Sequence, residues 1–413
     1  MTKHVLIIGF VWPEPKSSAA GSRMMQLIEV FQSFNYKITF ASTCAKQDQA
    51  FDLNLLDIQQ VSIELNNASF DEFLKELNPD IVVFDRFMVE EQFGWRVSER
   101  CPEALRILDT EDLHCLRKGR EMALKDGALF DKSYLFNEVS KREIASIYRC
   151  DLSLIISEEE IEILKNQFKV SEHLLYYLPF LTDSISADIK KKLPKIKERE
   201  HFISVGNFIH APNYDALLFL KHEIWPLIRK KLPQVEMHVY GAYASEKVNQ
   251  LNNKKEGFII KGFVDDVNQV MKYAKVCLAP LRFGAGLKGK LIDAMLNGTP
   301  CVMTTIAAEG MFGGFEANGF IADDPQKFAD KAIELYTDKI FWNGKQKNGF
   351  IVMNARFDKR LFISDFMYKM NAIHTNIEAH RLDNFTGQML QQQTLQSTKY
   401  MSKWIELKNS GKT

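Results

Sequence analysis

Residues 276–311 read VCLAPLRFGAGLKGKLIDAMLNGTPCVMTTIAAEGM, and the order of signals within them decides the fold. The apolar run Val276 to Leu281 predicts a buried strand, FGAG at 283–286 predicts a glycine loop, and Leu287, Leu291 and Met295 recur at helical spacing. Gly298 and Pro300 stop that helix, and Cys301 to Met303 supplies the next strand. Strand, glycine loop, helix and strand joined by short connections form the parallel crossover of an α/β sheet.

Glycines bring backbone amides close to a ligand, and the start of a helix adds partial positive charge, so such a loop suits phosphate. Lys288 falls in the first helical turn, where a cation disfavours the helix unless an anion lies nearby. The plainer alternative is that Lys288 and Lys290 are solvated, with Lys290 pairing Asp293. Gly284, Gly286 and Gly289 also match GxGxxG, the dinucleotide fingerprint. In a NAD-binding fold that fingerprint belongs to the first crossover. Here it lies deep in the chain with a lysine inside it, which favours a phosphate loop of another kind.

The chain has 413 residues, 46% of them apolar, enough for two domains with separate cores. The longest apolar run near the start, Val5 to Trp12, is broken by Pro13 and lacks a basic preamble and a cleavage site. Neither a signal peptide nor a transmembrane helix is expected, and the predicted location is cytoplasmic. Six scattered cysteines without a CxxC pair predict reduced thiols and no structural metal. The net charge of zero hides an asymmetry: residues 1–180 carry 20 Lys+Arg and 29 Asp+Glu, whereas residues 181–413 carry 33 and 24. The basic half is the natural host for a diphosphate, although part of its excess lies in the linker-like KKKLPKIK at 190–197.

The first half alternates strands and helices. HVLIIGF (4–10) is a strand, PEPKSSAAGSR (13–23) a loop, MMQLIEVFQSF (24–34) a helix and KITFAST (37–43) a strand; SFDEFLKELNPDIVVFD (69–85) and RILDTEDLHCLRKGRE (106–121) repeat the alternation. A parallel sheet follows, with Pro13 to Gly21, Asp85 to Phe87 and Asp109 to His114 on the rim at its carboxyl edge. In DTEDLHCLR (109–117), three carboxylates, a histidine and an arginine follow a strand end. They are either a polar cluster at a cleft or a helix start capped by Thr110 or Asp112. Ser157 is the expected cap of the helix after strand 152–156, with Glu158 to Glu160 as structural acids in its first turn. YYLPFLTD (176–183) leads out of the first domain.

The second half begins with the strand FISVGNF (202–208); His210, Asn213 and Asp215 precede a helix, with Asn213 the expected cap. HVYG (238–241) is another strand ending in glycine, the KGFVDD strand ends at Phe263 or Val264, and Asp265 and Asp266 cap the helix beyond.

Six pieces in order carry a resemblance: SVGNFIHAPNYDALLFL (204–220), MHVYG (237–241), IIKGFVDDVNQVMKYAKVCLAPL (259–281), FGAGLKGKLIDAMLNGTPCV (283–302), AAEGM (307–311) and NGFIADDPQKFADKAIELY (318–336). This run resembles the nucleotide-sugar domain of the group 1 (family 4) glycosyltransferases. Those proteins have the α/β GT-B architecture, two facing Rossmann-like domains with parallel sheets and an interdomain cleft. The first half resembles the family only in pattern.

The resemblance implies a first, acceptor-side domain over 1–182, a linker over 183–200, a nucleotide-sugar domain over 201–360 and closing helices with a polar tail over 361–413. It implies donor binding by Gly206, Asn207, His210, Gly241, Gly284, Ala285, Gly286, Leu287, Lys288, Asp293 and Glu309, and an acceptor side of Gly21, Asp112, His114 and Arg117. The implied catalytic group is Lys288, Asp293, His114 and Asp109. Asn207 and His210 stand where many members carry arginine and lysine. Asp293 replaces a glutamate that grips ribose hydroxyls, and Ala285 replaces the family's earlier glutamate. The implied reaction moves a sugar from a nucleotide diphosphate to a hydroxyl, with retention and without metal or a separate cofactor.

The acceptor class stays open among glycan, lipid-linked, protein and small-molecule partners, and no nucleic acid is expected. A non-catalytic nucleotide-sugar-binding protein and an NAD-dependent oxidoreductase are the alternatives. NARFDKRLFISDFMYKMNAI (354–373) reads as closing helices. The glutamine-rich segment 385–409, weakly amphipathic around Met401, Trp404 and Leu407, is either a contact for a membrane surface or a partner, or a solvated extension.

Overall fold

The structure is a computed structural model that describes residues 3–410, without the side chains of residues 393–396. Residues 1–2 and 411–413, at the ends of the predicted segments 1–182 and 361–413, lie outside the described residues. Seven strands build the first sheet: β1 (His4–Gly9), β2 (Lys37–Ser42), β3 (Gln59–Ser62), β4 (Ile81–Asp85), β5 (Leu105–Asp109), β6 (Leu152–Ile155) and β7 (Leu175–Tyr177). Six build the second: β8 (Glu200–Val205), β9 (Met237–Tyr240), β10 (Phe258–Gly262), β11 (Ala274–Ala279), β12 (Cys301–Met303) and β13 (Gly319–Ile321).

Every pairing within both sheets is parallel. The orders are β3-β2-β1-β4-β5-β6-β7 and β10-β9-β8-β11-β12-β13. Both are doubly wound, so strand addition reverses between β1 and β4 in one sheet and between β8 and β11 in the other. A ligand crevice opens outside the carboxyl ends of the strands at such a reversal. Continuous apolar runs such as Val5 to Ile8, Ile81 to Phe84 and Val276 to Ala279 are buried because helices cover both faces of each sheet.

The crossover that opened the reading is β11, the helix Gly289–Leu296 and β12, with Cys277 opposite Cys301 in register. Other elements depart from expectation. The first helix spans Ala19–Ser33, so the predicted loop 13–23 is shorter than expected; Ser18 caps the helix by accepting from the Gly21 amide at 3.0 Å. The helix after β8 starts at Ala211, with Asn213 and Asp215 inside it and no side-chain cap. It runs through a π turn, Leu220–Ile224, into Trp225–Lys231. The wider turn accommodates Pro226, whose ring and missing N–H would otherwise break an α-helix.

The chain crosses between domains twice, side by side. The Thr182 amide donates to the Phe357 carbonyl at 2.7 Å, and the Lys359 amide donates to the Thr182 carbonyl at 2.9 Å. After the second crossing the helices Ile363–Thr375, Ile377–Leu382 and Phe385–Ser410 return to the first domain. Phe366, Met367, Met370 and Ile373 enter the same core as Val5 and Ile7, each worth about 1.5–3 kcal/mol of burial. The Arg381 guanidinium then clasps Asp151 and donates to the Pro102 and Ala104 carbonyls.

Candidate active site

The two carboxyl edges meet in a closed cleft. A Cβ at Gly289 would lie 2.7 Å from the Ala19 Cβ, so the helix starts of the two domains touch. Ala285 packs into the first domain's core, and Ile156 and Phe180 pack into the second's. This seam gives a physical reason for alanine at 285, since a glutamate there would bury a charge among apolar side chains.

Gly286 adopts φ +63°, and a Cβ on it would meet the Asp112 Cβ at 2.8 Å, so the turn and the close approach both demand glycine. Its amide donates to Glu160 Oε1 at 2.8 Å, and the same oxygen accepts from the Leu113 amide at 2.9 Å. Lys288 is 7% exposed, so the solvated alternative fails. Its Nζ donates to the Ala285 and Gly286 carbonyls at 3.0 and 2.6 Å. Burial lowers its pKa to about 8, partly offset by Glu309.

Arg120 reaches across the cleft to bind Glu309 with both fork nitrogens, at 2.7 and 2.6 Å, and the Gly284 carbonyl at 2.9 Å. Burial pushes the Glu309 carboxyl up, but Arg120 and Lys288 outweigh it and hold it below its ordinary value. Lys290 pairs with Asn213 at 2.9 Å and not with Asp293, while Asn213 donates to the Asn207 carbonyl. Asn213 therefore bridges two loops where a cap was expected. Burial, with Asp266 nearby, raises the pKa of Asp293 to about 7.

The first-domain wall is acidic. Asp109 is fully buried and held by Arg23, with Nη2 to Oδ1 at 2.9 Å, while Arg23 Nη1 donates to the Leu178 carbonyl at 2.7 Å. Asp109 is thus an anchor behind the wall, which corrects its assignment to the reacting group. In front of it, Arg86 and Glu111 have φ of 72° and 62°, uncommon values for residues with a Cβ and costly to hold. Burial raises the carboxyls of Glu111 and Asp85. Burial also opposes ionisation of Asp112, but Arg117 and His114 outweigh it and hold that carboxyl well below its usual range.

His114 Nδ1 lies 3.4 Å from both Asp112 Oδ1 and Glu143 Oε1. The helix His114–Lys125 has no cap from Thr110 or Asp112. Glu143 accepts from the His114 and Cys115 amides, each at 2.9 Å, because Asp112 is occupied by Arg117 and Thr110 bonds the Leu154 carbonyl. Ser157 likewise makes no side-chain cap bond.

The structure brings Gly286 against Asp112 and Lys288 within its electrostatic reach, sets Arg117 beside Asp112, packs Ala285 into the first domain's core, and ties Gly284 and Glu309 to Arg120. His210 lies at the cleft mouth, within electrostatic reach of Asp112 and Arg117. The Gly21, Gly206 and Gly241 amides donate to Ser18, Tyr240 and Gly262, and a Cβ at any of the three would clash with its neighbours. Asn207 spends its Oδ1 on the Ile209 amide. Arg120 and Glu160 escaped the sequence reading. Arg120 does lie one helical turn from Arg117, a usable signal, but nothing local marks Glu160 as more than a first-turn acid.

A pH prediction arises from Glu160, which burial, with Asp112 nearby, raises to about 8. A carboxyl raised on folding stabilises below its unfolded pKa, and that contribution is lost as pH rises through the folded value. The melting temperature is expected to fall between about pH 5 and pH 8. In Glu160→Gln the fall should be shallower, because the amide oxygen still accepts both N–H groups and nothing titrates. Melting curves across that range check it, and equal slopes would reject the assignment.

Two facing doubly wound sheets with a cleft at their carboxyl edges define a GT-B fold, the architecture of a class of glycosyltransferases. Residues 199–338 match the family described as glycosyl transferases group 1. A curated relative, an uncharacterised 44.6 kDa protein in the cps region of Klebsiella pneumoniae, is 25% identical over 257 residues. That match covers 58% of this chain and 62% of the relative.

Among solved structures, a mutant TarM from S. aureus in complex with fondaparinux, alpha-GlcNAc-glycerol and UDP aligns with a TM-score of 0.58 at 16% identity. It covers 73% of this chain and 58% of TarM. Anabaena HepE in complex with UDP and glucose aligns with a TM-score of 0.65 at 13% identity, covering 89% and 99%. The matches thus span less than two thirds of the length of the curated relative and of that TarM chain.

Proposed function

We propose that this chain transfers a sugar from a nucleoside-diphosphate donor held by the second domain to a hydroxyl acceptor on the first. The observation that carries the reading is Lys288, buried at the start of the helix Gly289–Leu296 with its ammonium turned into the glycine loop at the closed cleft. As the bond from the anomeric carbon to the phosphate oxygen breaks, negative charge grows on that oxygen. The ammonium and the loop amides not already spent on Glu160 stabilise it before any rearrangement of solvent. The new bond forms between the anomeric carbon and the acceptor oxygen, whose proton passes to His114 or to a carboxylate of the same wall.

Retention and independence from metal belong to this reading, as does a cytoplasmic setting, in keeping with six unbridged cysteines. Three buried oxygens that accept no hydrogen bond, Asp85 Oδ1 and Asp112 Oδ1 beside the charges of Arg86 and His114 and Glu111 Oε1, support a glycan acceptor, since hydroxyl groups are donors. UDP complexes of TarM and HepE make UDP the first donor nucleotide to try.

A thermal-shift panel of UDP, GDP, ADP, their common sugars and NAD tests it, because a ligand bound only by the folded state raises the melting temperature. One nucleoside diphosphate is expected to stabilise the chain. Stabilisation by NAD alone would overturn the transferase reading.

A further inference from the structure

The helix Phe385–Ser410 lies on the first domain with its amphipathicity reversed. Among the residues whose side chains are described, polar groups hold its inward face: Gln391 donates to the Arg149 carbonyl at 2.8 Å, Ser402 is 4% exposed and donates to Asn66 at 3.0 Å, and Glu406 pairs with Arg96. Lys399 is likewise spent on Glu99. Phe385, Met389, Tyr400, Trp404 and Leu407, which share one helical stripe, are 46% to 72% exposed. Ordinary surface helices do the opposite. Because the polar face is tied down by these bonds, the helix cannot roll to hide the stripe.

We infer that this stripe docks the protein on an anionic phospholipid surface. Three features favour that occupant. The only acid between 385 and 410 is Glu406, which Arg96 neutralises, whereas Lys403 and Lys408 rise beside the stripe. Lys408 Nζ lies 5.1 Å from the centre of the Trp404 ring. Tryptophan and tyrosine with flanking lysines suit the headgroup boundary, where rings sit at the interface and ammonium groups meet lipid phosphates. The apolar positions are also spread over about 33 Å of helix, with a glutamine-rich stretch between Met389 and Tyr400, a spacing suited to a broad, deformable partner. Among the described residues no helix is long and apolar enough to cross a membrane, so the contact is lateral.

The inference does not depend on the transferase reading, since vesicle binding is measured without substrate. The full chain is mixed with vesicles of phosphatidylcholine alone or with about 30 mol% phosphatidylglycerol, sedimented, and assayed in the pellet. Binding is expected only with the anionic vesicles. It should weaken at least about tenfold in Tyr400→Ser/Trp404→Ser/Leu407→Ser, with the melting temperature unchanged because the three side chains are exposed. Lys403→Glu/Lys408→Glu should weaken it as well. Failure to bind anionic vesicles, equal binding to neutral ones, or undiminished binding by the triple variant would each overturn the inference. So would light scattering that shows a dimer which the triple variant converts to monomer, because the stripe would then pair with itself.

Discussion

Lys288→Ala is expected to lower turnover by about 10²-fold or more, the scale of losing one donor aimed at charge that develops in the transition state. The closed cleft sharpens this expectation. Lys288 is 7% exposed, and with two of its three donors on loop carbonyls the ammonium is held in place with one donor left for the diphosphate. Burial has brought its pKa down to about 8, and a bound diphosphate would favour the charged form again. Near neutral pH the wild type should therefore carry the proton when donor is present.

The same ammonium holds the Ala285 and Gly286 carbonyls, so truncation also frees the loop. Two measurements separate these effects: kcat at saturating donor, and the dissociation constant of the nucleoside diphosphate by calorimetry. A fall in kcat larger than the loss of binding supports the transition-state role. An unchanged kcat removes Lys288 from the mechanism.

The second large effect is structural. Arg23→Ala is expected to cost about 3–5 kcal/mol, because it leaves a buried carboxylate with no counter-charge. Asp109 is fully buried, and its partner, the Arg23 guanidinium, also satisfies the Leu178 carbonyl at the exit from β7. Replacing both partners, as in Arg23→Met/Asp109→Leu, should be milder than removing the arginine alone. Urea unfolding of the three proteins decides the matter. If Arg23→Ala unfolds at the wild-type midpoint, the pair is not an anchor.

The alternation of strands and helices was legible because parallel strands buried on both faces must be apolar throughout, and Val5 to Ile8 and Val276 to Ala279 say so without ambiguity. The glycine loop was legible for a related reason: it combines glycine, a helix start and a lysine in one short window. What escaped was everything made by contact at a distance. Glu143 caps a helix from 28 residues away, and Glu160 reaches the Gly286 amide from 126 residues away. Asp109 looked reactive beside Glu111 and Asp112, yet as the last residue of β5 it points to Arg23. Alternation along a strand sends neighbours to opposite sides, and no spacing rule says which side holds the cleft.

The paired crossings at Thr182 and Phe357 carry a consequence for biosynthesis. The helix Ile363–Thr375 supplies Phe366, Met367, Met370 and Ile373 to a core whose other members begin at Val5. The domain synthesised first is therefore finished last. While the ribosome is still making the second domain, the first lacks one wall of its core, although domains generally fold in the order they emerge. The middle of the chain can reach its native state during translation, whereas the N-terminal half must wait for residues 363–373, with an apolar patch that a chaperone has reason to hold.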